Sequence, residues 1–174
     1  MSDAAAEGPT NPPVVRAGDR WRQSIVLLSI LATIAFNGLA NVLPLMGRTT
    51  GSISDAYPVP FTPAGYVFSI WGGSYLGLVV YGVWQARPAQ ASDPRLRAAA
   101  PWVVLSGAMN VAWLVLWHAE RIVASTLPIV GLLISLIMVY EALASGDRAR
   151  GWMRWAARVP FGIYLGWLTV ATAA

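Results

Sequence analysis

Aromatic side chains are the groups in this sequence best equipped for chemistry: nine tryptophans and six tyrosines in 174 residues. Indole and phenol rings present flat apolar walls with one polar handle each, which suits non-covalent capture of flat, apolar molecules. Other chemistries lack their residues. The absence of cysteine rules out disulfides, thiolate nucleophiles and thiolate-bound metals. A single histidine, His118, rules out a histidine-rich metal cluster. All 12 basic residues are arginine, so no lysine is present to form a Schiff base. The acids are Asp3, Glu7, Asp19, Asp55, Asp93, Glu120, Glu141 and Asp147, and their spacing offers no pair for acid–base hydrolysis. Asp55 reads as a solvated loop charge, with ligand contact as the alternative. The sequence therefore predicts no catalytic residue and no metal site.

The elements that must position the aromatic residues are apolar. Hydrophobic residues make up 56% of the chain and charged residues 11%, against roughly 25% charged in a soluble domain. Apolar segments span 24–46, 63–85, 99–117, 122–144 and 156–174. About 20 helical residues cross a 30 Å hydrocarbon layer. The expected fold is an all-α membrane protein, a five-transmembrane-helix bundle over 21–174. A disordered tail over 1–20 precedes it and lacks the apolar core of a signal peptide. The fifth segment carries Arg158 near its start and stops abruptly at Ala174, so the natural chain is expected to continue.

Charge placement supports this count. Arg16, Arg20 and Arg22 precede the first segment. Arg87, Arg95 and Arg97 follow the second, and Arg148, Arg150, Arg154 and Arg158 separate the fourth from the fifth. Only Arg48 and Arg121 occupy the other two connections. Such alternation is a topology signal and argues against a nucleic-acid patch. It places the N-terminus in the cytoplasm, the expected setting being a bacterial cytoplasmic membrane. The short connection His118–Arg121 predicts an antiparallel hairpin. The longer one over 47–62 is either a lid or a passive connector. Ionisable residues at membrane depth are nearly absent, which disfavours an ion-driven transporter. No ring of charge marks a channel.

In the second segment Thr62 suits an N-cap and Pro63 the first helical position. Trp71 then lies about 12 Å below the helix start, deeper than an interfacial aromatic belt. It either packs against a neighbouring helix or finds a partner for its N–H in a cavity. Trp113 and Trp167 are equally deep. Trp21, Trp84, Trp102, Trp117, Trp152 and Trp155 fall near helix ends and read as interfacial anchors. Gly73/Gly77 and Gly162/Gly166 have small-xxx-small spacing, for internal packing or for a homodimer seam. Asn110 either bonds a neighbouring helix or lines a pocket. Asn37 and Asn41, one turn apart, are expected to face the bundle, since lipid would leave their amides unsatisfied.

Taken in order, these residues resemble the TspO/translocator protein family, the tryptophan-rich sensory proteins. The match consists of Phe61-Thr62-Pro63 with Tyr66, Phe68, Trp71 and Tyr75; Asn110 followed by Trp113; and Tyr164-Leu165-Gly166-Trp167 leading into Leu168-Thr169-Val170-Ala171-Thr172. The chain departs at Ser69-Ile70-Trp71-Gly72-Gly73, where the family carries a Trp-Thr pair, and at Val170, where it carries Phe. These mark a divergent branch. The resemblance implies a five-helix bundle that binds a hydrophobic planar ligand, a porphyrin or other tetrapyrrole or a sterol, inside the bundle under the loop joining helices one and two. It implies Trp71, Asn110 and Trp167 as lining residues, with Tyr66 and Trp113 adjacent. The protein would act as a sensor or carrier, needing no cofactor beyond a bound porphyrin or haem-like tetrapyrrole. Its partners would be the lipid bilayer and that small molecule. The alternatives are a light-dependent porphyrin-degrading enzyme and a structural or oligomerising membrane module.

Overall fold

The computed structural model describes residues 14–43, 45–57, 69–144 and 151–173. Every regular element among them is helical: α1 Gly18–Val42, α2 Thr50–Ala56, α3 Ile70–Gln85, α4 Pro94–His118, α5 Ile122–Ala144 and α6 Val159–Ala173. Short 3₁₀ turns at Leu45–Gly47 and Pro88–Gln90 and a π-helical turn at Arg154–Arg158 complete the path. α1, α4 and α5 are long and apolar enough to cross a membrane. Large apolar side chains are turned outward in mid-helix, Leu28 at 64% and Leu127 at 80% exposure, a surface suited to lipid and unsuited to water.

α3 and α6 miss that length for local reasons. Sixteen described residues of α3 rise about 24 Å, and residues 58–68 before it lie outside the described set. α6 continues an unbroken helical run over 152–173, about 33 Å long, which the π-turn divides.

Helix starts depart from the sequence expectation where polar residues extend an apolar segment. α1 begins at Gly18, ahead of Ser24, because Asp19 and Gln23 find partners: Asp19 pairs with Arg97 at 2.6 Å, and Gln23 Nε2 donates to the Gln85 and Arg87 carbonyls at 2.6 and 2.9 Å. α4 begins at Pro94, ahead of 99, with Asp93 as N-cap accepting from the Arg95 N–H at 2.9 Å and Pro94 in the first turn. Burial pushes the Asp93 carboxyl up, but the Arg95 hydrogen bonds outweigh it and hold the group below its usual range. α5 spans the expected 122–144.

The connection expected over 47–62 holds a helix. Met46 (φ 56°) and Gly47 (φ 81°) turn the chain through left-handed backbone. Thr49 and Ser52 then form a reciprocal capping box for α2. α2 docks on the C-terminal end of α4: Ile53 is fully buried, Trp117 Nε1 donates to the Thr50 carbonyl at 3.3 Å, and Arg48 pairs with Glu120 at 2.9 Å. α4 and α5 form the tightest hairpin, its turn carrying Glu120 in left-handed conformation (φ 54°).

Close helix approach occurs at Gly77, where an added Cβ would lie 2.9 Å from Pro160 Cβ and 3.3 Å from its Cα. Gly107 makes a comparable approach to Thr33 on α1. Space at Gly73 and Gly166 is open, and at Gly162 a Cβ would meet the Tyr140 ring at an ordinary 3.6 Å. Gly77→Ala is therefore expected to destabilise the bundle by about 1–3 kcal/mol, because the proline cannot rotate away. Gly73→Ala should leave stability unchanged. Thermal unfolding of both variants in detergent checks the contrast, and equal melting temperatures would contradict the close α3–α6 contact.

Candidate ligand site

Four polar side chains from four helices meet in the bundle interior. Asn37 (α1) donates to Asn110 Oδ1 (α4) at 2.7 Å, and also to the Thr33 carbonyl at 2.8 Å. Tyr75 (α3) donates its hydroxyl proton to Asn37 Oδ1 at 2.7 Å. Asn110 Nδ2 donates to the Tyr164 hydroxyl (α6) at 2.9 Å. Asn110 is fully buried and Tyr164 nearly so. In an apolar bundle such groups must satisfy one another. Below them a narrow cavity is lined by Ser29, Thr33, Ser106, Gly107 and Tyr164, among others.

The tetrad carries an aromatic layer. Trp71 lies one turn from Tyr75, Trp113 one turn from Asn110, and Trp167 one turn from Tyr164. α3 runs opposite to α4 and α6, so all three steps lead toward the end of the bundle where α2 docks. The Trp71 ring is the hub. It stacks on Trp113 at 6.0 Å between centroids and on Tyr75 at 5.7 Å, and it meets the edges of Tyr164 at 5.8 Å and Trp167 at 6.1 Å. Trp113 stacks in turn on Trp117 at 5.8 Å. These separations fall in the range where aromatic pairs attract beyond simple burial. Trp113 and Trp167 are buried, whereas Trp71 is only half-buried. The arrangement is a packed aromatic cluster resting on a hydrogen-bonded, uncharged floor.

Of the residues expected at the site, the structure brings together Trp71, Asn110, Trp113 and Trp167. Tyr66 lies outside the described residues, as does the side chain of Asn41. Tyr75, Tyr164 and Asn37 join the cluster without having been singled out as site residues. Their signal was helical spacing: Tyr75 and Tyr164 stand one turn from a deep tryptophan, on the same face. Three assignments change. Trp84 is 6% exposed and belongs to the core instead of an interfacial belt. Trp117 extends the aromatic stack and ties α2 to α4. His118 is not a loop residue but the last of α4, buried, with Nδ1 2.8 Å from the Leu114 carbonyl. Trp21, Trp152 and Trp155 remain strongly exposed.

A family model described as TSPO-like protein matches residues 23–174, which includes every helix that contributes to the tetrad and the aromatic layer. The chain belongs to this TSPO-like family, and with its long apolar helices it is an integral membrane protein. No curated protein and no solved structure matches the chain.

Asn110 is the joint of the floor, bonded to both Asn37 and Tyr164. Asn110→Leu removes two interhelical hydrogen bonds and is expected to cost about 1–3 kcal/mol. Tyr164→Phe removes one and should cost about half as much. Denaturation in mixed detergent measures both. A loss for Tyr164→Phe equal to that for Asn110→Leu would contradict the central role of Asn110.

Proposed function

We propose that this protein binds a flat hydrophobic ligand of the porphyrin or sterol class against Trp71, as a membrane sensor or carrier. The observation that carries this reading is the convergence of four aromatic rings on a half-buried Trp71 above an uncharged hydrogen-bonding floor. A planar macrocycle gains most from stacked and edge-on rings, and its polar periphery needs few donors. Membership of the TSPO-like family supports the same ligand class. The protein spans the membrane five times, the helical run from 152 through α6 forming the last span. Its N-terminus faces the cytoplasm, on the side of the arginine-rich connections. α2 covers the aromatic end of the bundle through Trp117, which stacks on Trp113.

A second reading is favoured by one observation, the Trp71–Trp113–Trp117 stack with centroids 6.0 and 5.8 Å apart. A photoexcited porphyrin held against Trp71 would exchange electrons with such a stack, and with dioxygen as oxidant the ligand would be degraded.

Protoporphyrin titration followed by tryptophan quenching tests the first reading. Trp71→Phe and Trp167→Phe are expected to weaken saturable binding roughly tenfold, and Trp152→Phe, far from the cluster, to leave it unchanged. Linear quenching that no substitution alters means partitioning into detergent and rejects ligand binding. Illumination of the bound sample then tests the second reading: loss of porphyrin absorbance that Trp113→Phe slows supports it, and stable absorbance rejects it.

A further inference from the structure

On the arginine-rich face two cations at the start of the last helix have no ion-pair partner among the described residues. The ion pairs among described residues are Arg22–Asp19, Arg48–Glu120, Arg95–Asp93 and Arg97–Asp19. Arg154 and Arg158 belong to none of them. Both occupy the π-turn that opens the last helix, four residues apart and so on one face. π-turns concentrate at functional sites.

Arg158 is held in place without being discharged. Its guanidinium lies over the Tyr140 ring of α5, 5.3 Å from the centroid, with one long 3.4 Å contact to the Tyr140 hydroxyl. Its Nε is covered and has no acceptor. Gly162 leaves room for that ring, whose Cε2 would lie 3.6 Å from an added Cβ. Arg154 lies 5.5 Å over the ring of Trp155, itself 63% exposed. One turn deeper than Tyr140 on α5, Ile137 is exposed at 42%. The order along α5 is therefore cation, aromatic ring, apolar side chain.

We propose that Arg158 and Arg154 bind the phosphate of an anionic phospholipid headgroup in the seam between α5 and the last helix, with an acyl chain along Ile137. A planar guanidinium fork matches phosphate oxygens in pairs, and the adjoining apolar side chain selects a lipid over a soluble anion. The exposed Trp152 and Trp155 set this site at headgroup depth.

The test is retention of lipid by the full chain, taken from nanodiscs of phosphatidylcholine mixed with phosphatidylglycerol and counted by native mass spectrometry. The wild type is expected to retain one phosphatidylglycerol per chain in preference to phosphatidylcholine. Arg158→Gln should lower that preference roughly fivefold, and the exposed Arg154→Gln, which leaves the buried core untouched, should lower it measurably. Arg20→Gln, on the same membrane face but outside the seam, should leave it unchanged. Equal losses for Arg20→Gln and Arg158→Gln would mean general surface charge and overturn the site. Displacement of the lipid by millimolar inorganic phosphate would reassign it to a soluble anion. No preference in the wild type would overturn it outright.

Discussion

A polar group inside a lipid-bounded helix bundle has no water to fall back on, and the structure turns on how Asn37, Tyr75, Asn110 and Tyr164 answer that constraint. Each comes from a different helix, and each satisfies another. Between helices that gain little from apolar contact in lipid, such bonds supply direction as well as energy, on the order of 0.6–2 kcal/mol apiece. They fix the rotation of α1, α3, α4 and α6 about their own axes. α5 stands outside the tetrad and packs through apolar contacts on α4 and α6.

Fixing those rotations also places the aromatic layer. Trp71, Trp113 and Trp167 each stand one helical turn from a tetrad member, toward α2. The hydrogen bonds that join the helices therefore set the spacing of the rings. The aromatic cluster and the stability of the bundle depend on one set of residues. That coupling explains how a site without a single charge can hold a defined shape: its geometry comes from neutral amides and phenols pinned by their neighbours. α2 closes the same end through Ile53, Trp117 and the Arg48–Glu120 pair.

Much of this was legible in the sequence, because a membrane imposes a strong pattern. The apolar segment 122–144 coincides with α5, and the arginine alternation marks one face of the bundle. Trp71, Asn110, Trp113 and Trp167 stood out as deep groups in apolar helices, and they meet. What the sequence hid was polar structure carried by partners distant along the chain. The start of α1 depends on Arg97 and Gln85, more than sixty residues away. α2 depends on a capping box too short to rise above a loop. Trp84 and Trp117 lie near helix ends, yet burial is set by neighbouring helices and not by depth alone. Close approach at Gly77 and open space at Gly73 are likewise identical in the sequence and decided by what lies opposite. The start of α4 at Pro94, ahead of the expected 99, rests on the Asp93 N-cap and first-turn proline, a local polar signal that apolar content overlooks.

The most direct test of the central claim is fluorine NMR of the protein labelled with 5-fluorotryptophan, its nine signals assigned by single Trp→Phe substitutions and followed during protoporphyrin addition. A macrocycle seated against Trp71 predicts saturable ring-current shifts for Trp71, Trp113 and Trp167, with Trp21, Trp152 and Trp155 unmoved. Shifts confined to the exposed tryptophans, or growing in proportion across all nine, would contradict a ligand site built on the tetrad.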